Sequence, residues 1–218
     1  MNRSAKVLMG TLIGSLMFAG NASADAYFEV TVTNITKGMV FTPIMVASTK
    51  PGDGFFETGS AASAELEAMA EMGALAGLQG SLDAYDVTNS MFLPFLAPGE
   101  SVTQTVATSG KYKGISVAAM LVPSNDTFFA VNSIAGPKGN KTMTVYSVGY
   151  DAGTEMNDEL CASLPGPGCG PDAGPPSMGE GYVYVSNGIQ GVGDLDAGLR
   201  DFNNPVAKIT ITRVETDD

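Results

Sequence analysis

The sequence contains no histidine and no tryptophan, only two cysteines, and 11 Lys and Arg against 23 Asp and Glu. Without histidine, Ser-His-Asp and Cys-His catalysis, HExxH zinc proteases and imidazole-ligated metals are excluded, leaving only variants such as Ser-Lys pairs. A GxSxG elbow, a P-loop and a GxGxxG phosphate cradle are absent too. The shortage of positive charge disfavours contact with phosphate backbones and anionic lipid, so nucleic-acid binding is not expected.

What is present begins with an export signal. Arg3 and Lys6 precede an apolar run from Val7 to Ala19, and Ala22-Ser23-Ala24 stands before Asp25. A basic start, an apolar centre and an A-x-A end make residues 1–24 a secretory signal peptide, with cleavage expected after Ala24. A membrane anchor is the weaker reading, because Gly10, Ser15 and Gly20 interrupt the segment and its apolar centre falls short of the roughly 20 residues a span needs. Cleavage removes two bases and no acid, which leaves 9 basic and 23 acidic side chains and a formal charge of −14. The expected product is secreted or periplasmic, with residues 25–218 forming one domain large enough for a core. No second long apolar run follows, so no membrane span is expected after cleavage.

Cys161 and Cys169 bracket a short Pro/Gly-rich loop, CASLPGPGC. In an oxidising compartment a disulfide is expected, whereas a zinc or redox site needs CxxC spacing or further ligands.

Period-two alternation marks strands at Ala26–Thr33, Ser101–Thr108, Thr142–Val148, Tyr182–Ser186 and Val206–Val214. Ile115–Val122 is apolar almost throughout and bounded by Gly114 and Pro123, which predicts a central strand covered on both faces. Ser60–Leu82 departs from this pattern: Leu66, Met69, Ala70 and Gly73 fall at helical spacing, Ser60 or Ser63 can cap the start, and Glu65 and Glu67 suit its positive end. The fold class is therefore mainly β, an antiparallel β-sandwich with one helical segment, about 60–82, packed on it. Gly149–Gly181 is the longest stretch without periodicity, a length that marks a functional or poorly ordered loop. Asn34, Asn125 and Asn140 head glycosylation sequons.

Two loops beside predicted strands combine carboxylates with turn residues: Pro123-Ser124-Asn125-Asp126, and Asp151-Ala152-Gly153-Thr154-Glu155. Calcium wants six to eight oxygens from carboxylates, carbonyls and water, and loops at one end of a sandwich can supply them. With no histidine and no free thiol expected, a calcium-type ion is the metal this inventory serves. The competing reading is that an exported acidic protein carries solvated carboxylates in its loops.

Five segments, in order along the chain, carry a family resemblance: Pro43–Ser48, Phe55–Gly59 running into an Ala-rich helix, Met120–Asp126, Tyr150–Glu155 and Asn204–Ile211. Together they resemble the spondin N-terminal (F-spondin) domain family in its bacterial secreted single-domain form. The resemblance implies a C2-like antiparallel β-sandwich with a calcium ion at one end. It implies Asp126 and Asp151 as ligands, the Val122 carbonyl as a third, and Glu155 as a group that reaches the ion or its waters; Glu100 is a looser candidate. Thr127 stands where animal members often carry Trp, and Ala47-Ser48-Thr49 where relatives often read Ala-Ser-His, so roles of those side chains do not transfer.

Three functions compete. The first is a non-enzymatic calcium-binding module that binds a surface, matrix or envelope partner or mediates adhesion. The second is a purely structural envelope protein. The third is a carbohydrate-active hydrolase using Asp126 and Asp151 as acid and base, against which stands the absence of Trp, leaving Tyr146, Tyr150, Tyr182 and Tyr184 as the nearby aromatics.

Overall fold

The computed structural model describes residues 26–90, 95–170, 174–175 and 177–214; the expected signal peptide, residues 1–24, lies outside them. Among these residues the chain forms β1 (Ala26–Asn34), β2 (Val40–Phe41), β3 (Met45–Thr49), α1 (Ala64–Met72), α2 (Leu75–Ser81), β4 (Ala84–Asn89), β5 (Ser101–Thr108), β6 (Gly114–Val122), β7 (Thr127–Ala135), β8 (Thr142–Ser147), β9 (Gly149–Asp151), β10 (Tyr184–Val185), α3 (Ala197–Arg200) and β11 (Ala207–Val214). Two antiparallel sheets result. One has the order β5-β1-β11-β8, the other β10-β9-β7-β6-β3-β4, with β2 set against the end of β6.

The two periodicities read from the sequence are the two ways a strand can be buried. In β1, Phe28, Val30 and Val32 point into the space between the sheets while Glu29 is exposed. Its partner β11 matches it in register, Val30 opposite Ile211 and Val32 opposite Ile209, so the apolar sets of both strands fall on one face. β6 is buried at every residue because it separates two cores. Ile115, Val117, Ala119 and Leu121 join the core between the sheets, whereas Ala118, Met120 and Val122 join a second core beneath the helices. The same division splits neighbouring aromatics of β7: Phe129 packs on Phe41 at 4.6 Å in the first core, and Phe128 lies in the second.

The expected helical segment is present but divided. Ser63 caps α1 by accepting from the Leu66 amide, and Leu66, Met69 and Ala70 are buried. The helix stops at Gly73, whose φ of 65° is left-handed, and a Cβ there would meet the Thr42 side chain at 2.8 Å. A non-glycine residue at 73 would face both penalties, so α2 starts afresh at Leu75.

The predicted strand Tyr182–Ser186 contracts to β10. Val183 is diverted, exchanging backbone hydrogen bonds with the Gly59–Ser60 turn. The predicted strand Thr142–Val148 ends at Ser147, where the chain crosses from one sheet to the other; the Ser147 hydroxyl accepts from Ala130 N at 3.0 Å and lies 2.8 Å from Ala130 O, fixing the crossing. Of the sequon asparagines, Asn34 and Asn125 are 0 % and 2 % exposed, and Asn140 is open to solvent.

Cys161 and Cys169 are disulfide-bonded, with Cα atoms 4.6 Å apart. The native protein is expected to resist alkylation until reduced and to have an intact mass lower by two hydrogens than the dithiol form. Thiol labelling without reductant would contradict this pairing. Among the described residues no helix is long and apolar enough to cross a membrane.

Candidate metal centre

Antiparallel pairing brings the two acidic loops together. β6 ends at Val122, the turn 123–126 follows, and β7 begins at Thr127, which lies opposite Asp151 in the β7–β9 ladder. Asp126 and Asp151 thus stand at the ends of adjacent strands, with Tyr184 of β10 on the other side of Asp151. The turn is held by its own side chains: the Ser124 hydroxyl donates to Leu121 O and accepts from Thr127 N at 3.2 Å. The second loop turns sharply at Gly153, whose φ is 68° and where a Cβ would lie 2.2 Å from the Tyr182 carbonyl oxygen. Only glycine fits there.

Both carboxylates are half satisfied by backbone. Asp126 Oδ2 accepts from Thr154 N at 2.7 Å and Glu155 N at 3.1 Å, with the Thr154 hydroxyl at 3.2 Å. Asp151 accepts from Gly153 N at 2.9 Å and from Asn157 Nδ2 at 2.9 Å, and Asn157 Nδ2 also reaches Tyr184 Oη at 3.0 Å. Asp126, Asp151 and Glu155 are 0 %, 1 % and 2 % exposed. Yet Asp126 Oδ1 and Glu155 Oε2 are buried with no hydrogen-bond partner among the described residues. Such oxygens are costly unless paired. Glu159 shows the contrast: it is 3 % exposed, but the amides of Gln190, Gly191 and Val192 converge on its carboxylate.

Burial, first of all, pushes the Asp126 carboxyl above its usual range. It drives Asp151 up to about 7, with the charge of Asp126 adding to the effect. Glu155 also rises to about 7, through burial and then the charges of Glu71 and Asp126. Tyr184 is pushed up by burial and by Asp151. The ion pairs among the described residues, Lys50 with Asp53 and Asp83 and Lys111 with Asp83, involve none of these acids.

The donor set fits a hard cation: it consists of oxygens, and two of them are buried without partners. Among the described residues no three Asp, Glu, Cys or His side chains form a ready-made ligand group. A cation here would therefore take part of its shell from carbonyls and water, as calcium does. Val122 closes β6 four residues before Asp126 and is buried, its side chain lining an apolar cavity of about 560 Å³ with Thr42, Met72, Phe95 and the disulfide loop. Glu100 is not drawn in: it is exposed and accepts from Ala97 N at 3.2 Å within its own turn. Sequence reasoning passed over Asn157, which sits just beyond the motif 151–155 and left only a slight signal.

No family model matches the chain, and no curated protein does. The spondin resemblance therefore rests on the motifs of the chain itself.

Proposed function

We propose that this chain is a calcium-binding β-sandwich of the spondin type, exported from the cytoplasm, that acts without catalysis as a surface, matrix or envelope binding module. The observation that carries the reading is the pair of buried, unpartnered carboxylate oxygens, Asp126 Oδ1 and Glu155 Oε2, at the loop end of the sandwich. The acids gathered there repel one another once ionised, a burden that protons relieve only up to about neutral pH and a divalent cation relieves above it. Burial also weighs against a hydrolase. Asp126 and Asp151 are 0 % and 1 % exposed, whereas a glycosidase pair flanks an open substrate cleft.

Binding and structural roles separate by experiment. Immobilised protein is incubated with envelope fractions of its host in calcium, in chelator, and as Asp126→Asn. The binding reading expects capture in calcium that chelator and Asp126→Asn both abolish. Capture in none of the three leaves the structural reading, and equal capture in all three detaches partner binding from the cation.

A further inference from the structure

The turn that carries Asp126 is gripped at two points by the loop that the disulfide closes. At its start, Gly166 packs on Val122 and Pro123: a Cβ at position 166 would lie 2.9 Å from Val122 Cβ and 3.6 Å from Pro123 Cα. Gly166 is itself fixed, its N–H donating to Gly170 O at 2.7 Å. At its end, the Asn125 side chain, in a residue 2 % exposed, donates through Nδ2 to Asp158 Oδ1 at 3.3 Å and accepts through Oδ1 from Glu159 N at 3.4 Å. The Asp158 carboxylate also accepts from Leu160 N at 2.9 Å and from the Ser163 hydroxyl at 3.0 Å, and Cys161 N donates to Asp194 Oδ2 at 2.9 Å. The segment leading into Cys161 therefore holds Asn125, and the segment around Cys169 holds Val122. The Cys161–Cys169 bond joins the two holds.

We propose that Asn125 is a positioning residue of the cation centre and that the Cys161–Cys169 disulfide sets the affinity of that centre through it. The proposal rests on the cation reading above and extends it to residues that were given no part in holding the ion. Asn125 is the neighbour of Asp126, so slack at Asn125 shifts the Asp126 carboxylate relative to the Thr154 and Glu155 amides that its Oδ2 accepts from. A ligand already held in place loses less freedom when the ion arrives, which is why the partners that orient metal ligands govern affinity. A dithiol reductant opens the brace: two electrons and two protons pass to the cysteine sulfurs, leaving two thiols and the reductant as its disulfide. Thiols are soft ligands and do not compete for a hard cation.

The test is a calorimetric calcium titration of the whole chain, oxidised and after dithiol reduction, as wild type, Asn125→Ala and Val30→Ala, with melting in chelator followed alongside. Val30 lies in the core between the sheets, so Val30→Ala should melt lower yet titrate like wild type. Oxidised Asn125→Ala and reduced wild type should each bind calcium about tenfold more weakly than oxidised wild type. Reduction should weaken Asn125→Ala by a smaller factor than wild type, since the hold it loosens is already gone, and reoxidation should restore wild type. Asn125→Ala or reduced wild type titrating like oxidised wild type overturns the proposal while leaving Asp126 and Asp151 in place. So does an equal factor of reduction in wild type and Asn125→Ala, or a loss of affinity in Val30→Ala that matches Asn125→Ala. Failure of the oxidised wild type to take up calcium overturns both readings.

Discussion

Calcium at 100 times its dissociation constant is expected to stabilise the wild-type protein by about 2.7 kcal/mol, roughly 5–10 °C in melting temperature for a chain of this size. Asp126→Asn and Asp151→Asn should each lose most of that shift, because hard-cation affinity depends on ligand charge. Neither substitution should unfold the protein. In Asp126→Asn the remaining oxygen still accepts from Thr154 N and Glu155 N, the contacts Oδ2 makes now, and the amide replaces an oxygen that has no partner. Without cation, Asp126→Asn should melt no lower than wild type at pH 8, since it removes a buried charge from a repelling pair; in Asp151→Asn the amide displaces one of two accepting oxygens, so its calcium shift is read from its own cation-free baseline. Glu29→Gln should keep the full calcium shift. Scanning calorimetry after chelation and re-addition of calcium decides the matter: equal shifts in all proteins, or none in wild type, would return these acids to ordinary loop carboxylates.

In chelator, stability should fall as pH rises from about 4 to above 7. Asp151 and Glu155 titrate at about 7 in the folded chain, against ordinary values of 3.8 and 4.5. Between these limits the unfolded chain has released protons that the folded chain retains, so each step up in pH favours unfolding until the folded groups have also ionised. Asp151 alone can contribute up to about 1.4 kcal/mol per pH unit across that window. Calcium should flatten or reverse the trend by holding both carboxylates ionised, and at pH 6 its binding should release protons measurable as a buffer-dependent heat. Asp83, whose carboxyl the hydrogen bond from Lys50 holds below its usual range, acts in the opposite sense and at lower pH, where protonation loses that contribution. A stability that rises steadily from pH 4 to 8 in chelator would contradict the burial of Asp151 and Glu155.

Local pattern and tertiary consequence part company at identifiable residues. The strand Ser101–Thr108 was legible to the residue, because an edge strand with one wet face writes that face into every second position. β3 and β7 were not read as strands, although their residues are mostly buried. β6, also covered on both faces, was legible as one almost continuous apolar run between Gly114 and Pro123. β3 and β7 mix Ser, Thr and Asn into theirs, and without alternation or a continuous apolar run only the neighbours decide whether such a segment pairs. The break between α1 and α2 rests on the Thr42 side chain standing where a Cβ at position 73 would lie, as well as on the glycine itself, and Thr42 is remote in sequence.

The site divides the same way. Residue chemistry alone determined that a metal here must be oxygen-ligated, since there is no histidine and both cysteines are joined, and local turn chemistry marked the loops around Asp126 and Asp151. Tertiary structure alone decided which acids meet. The β7–β9 register sets Thr127 opposite Asp151, the amides of residues 190–192 satisfy the Glu159 carboxylate, and the loop amides of Thr154 and Glu155 converge on Asp126 Oδ2. Carboxylates close in sequence carry no mark of which will be buried, because desolvation depends on what packs over them; that covering leaves Asp126 and Glu155 each with an oxygen that no group among the described residues satisfies.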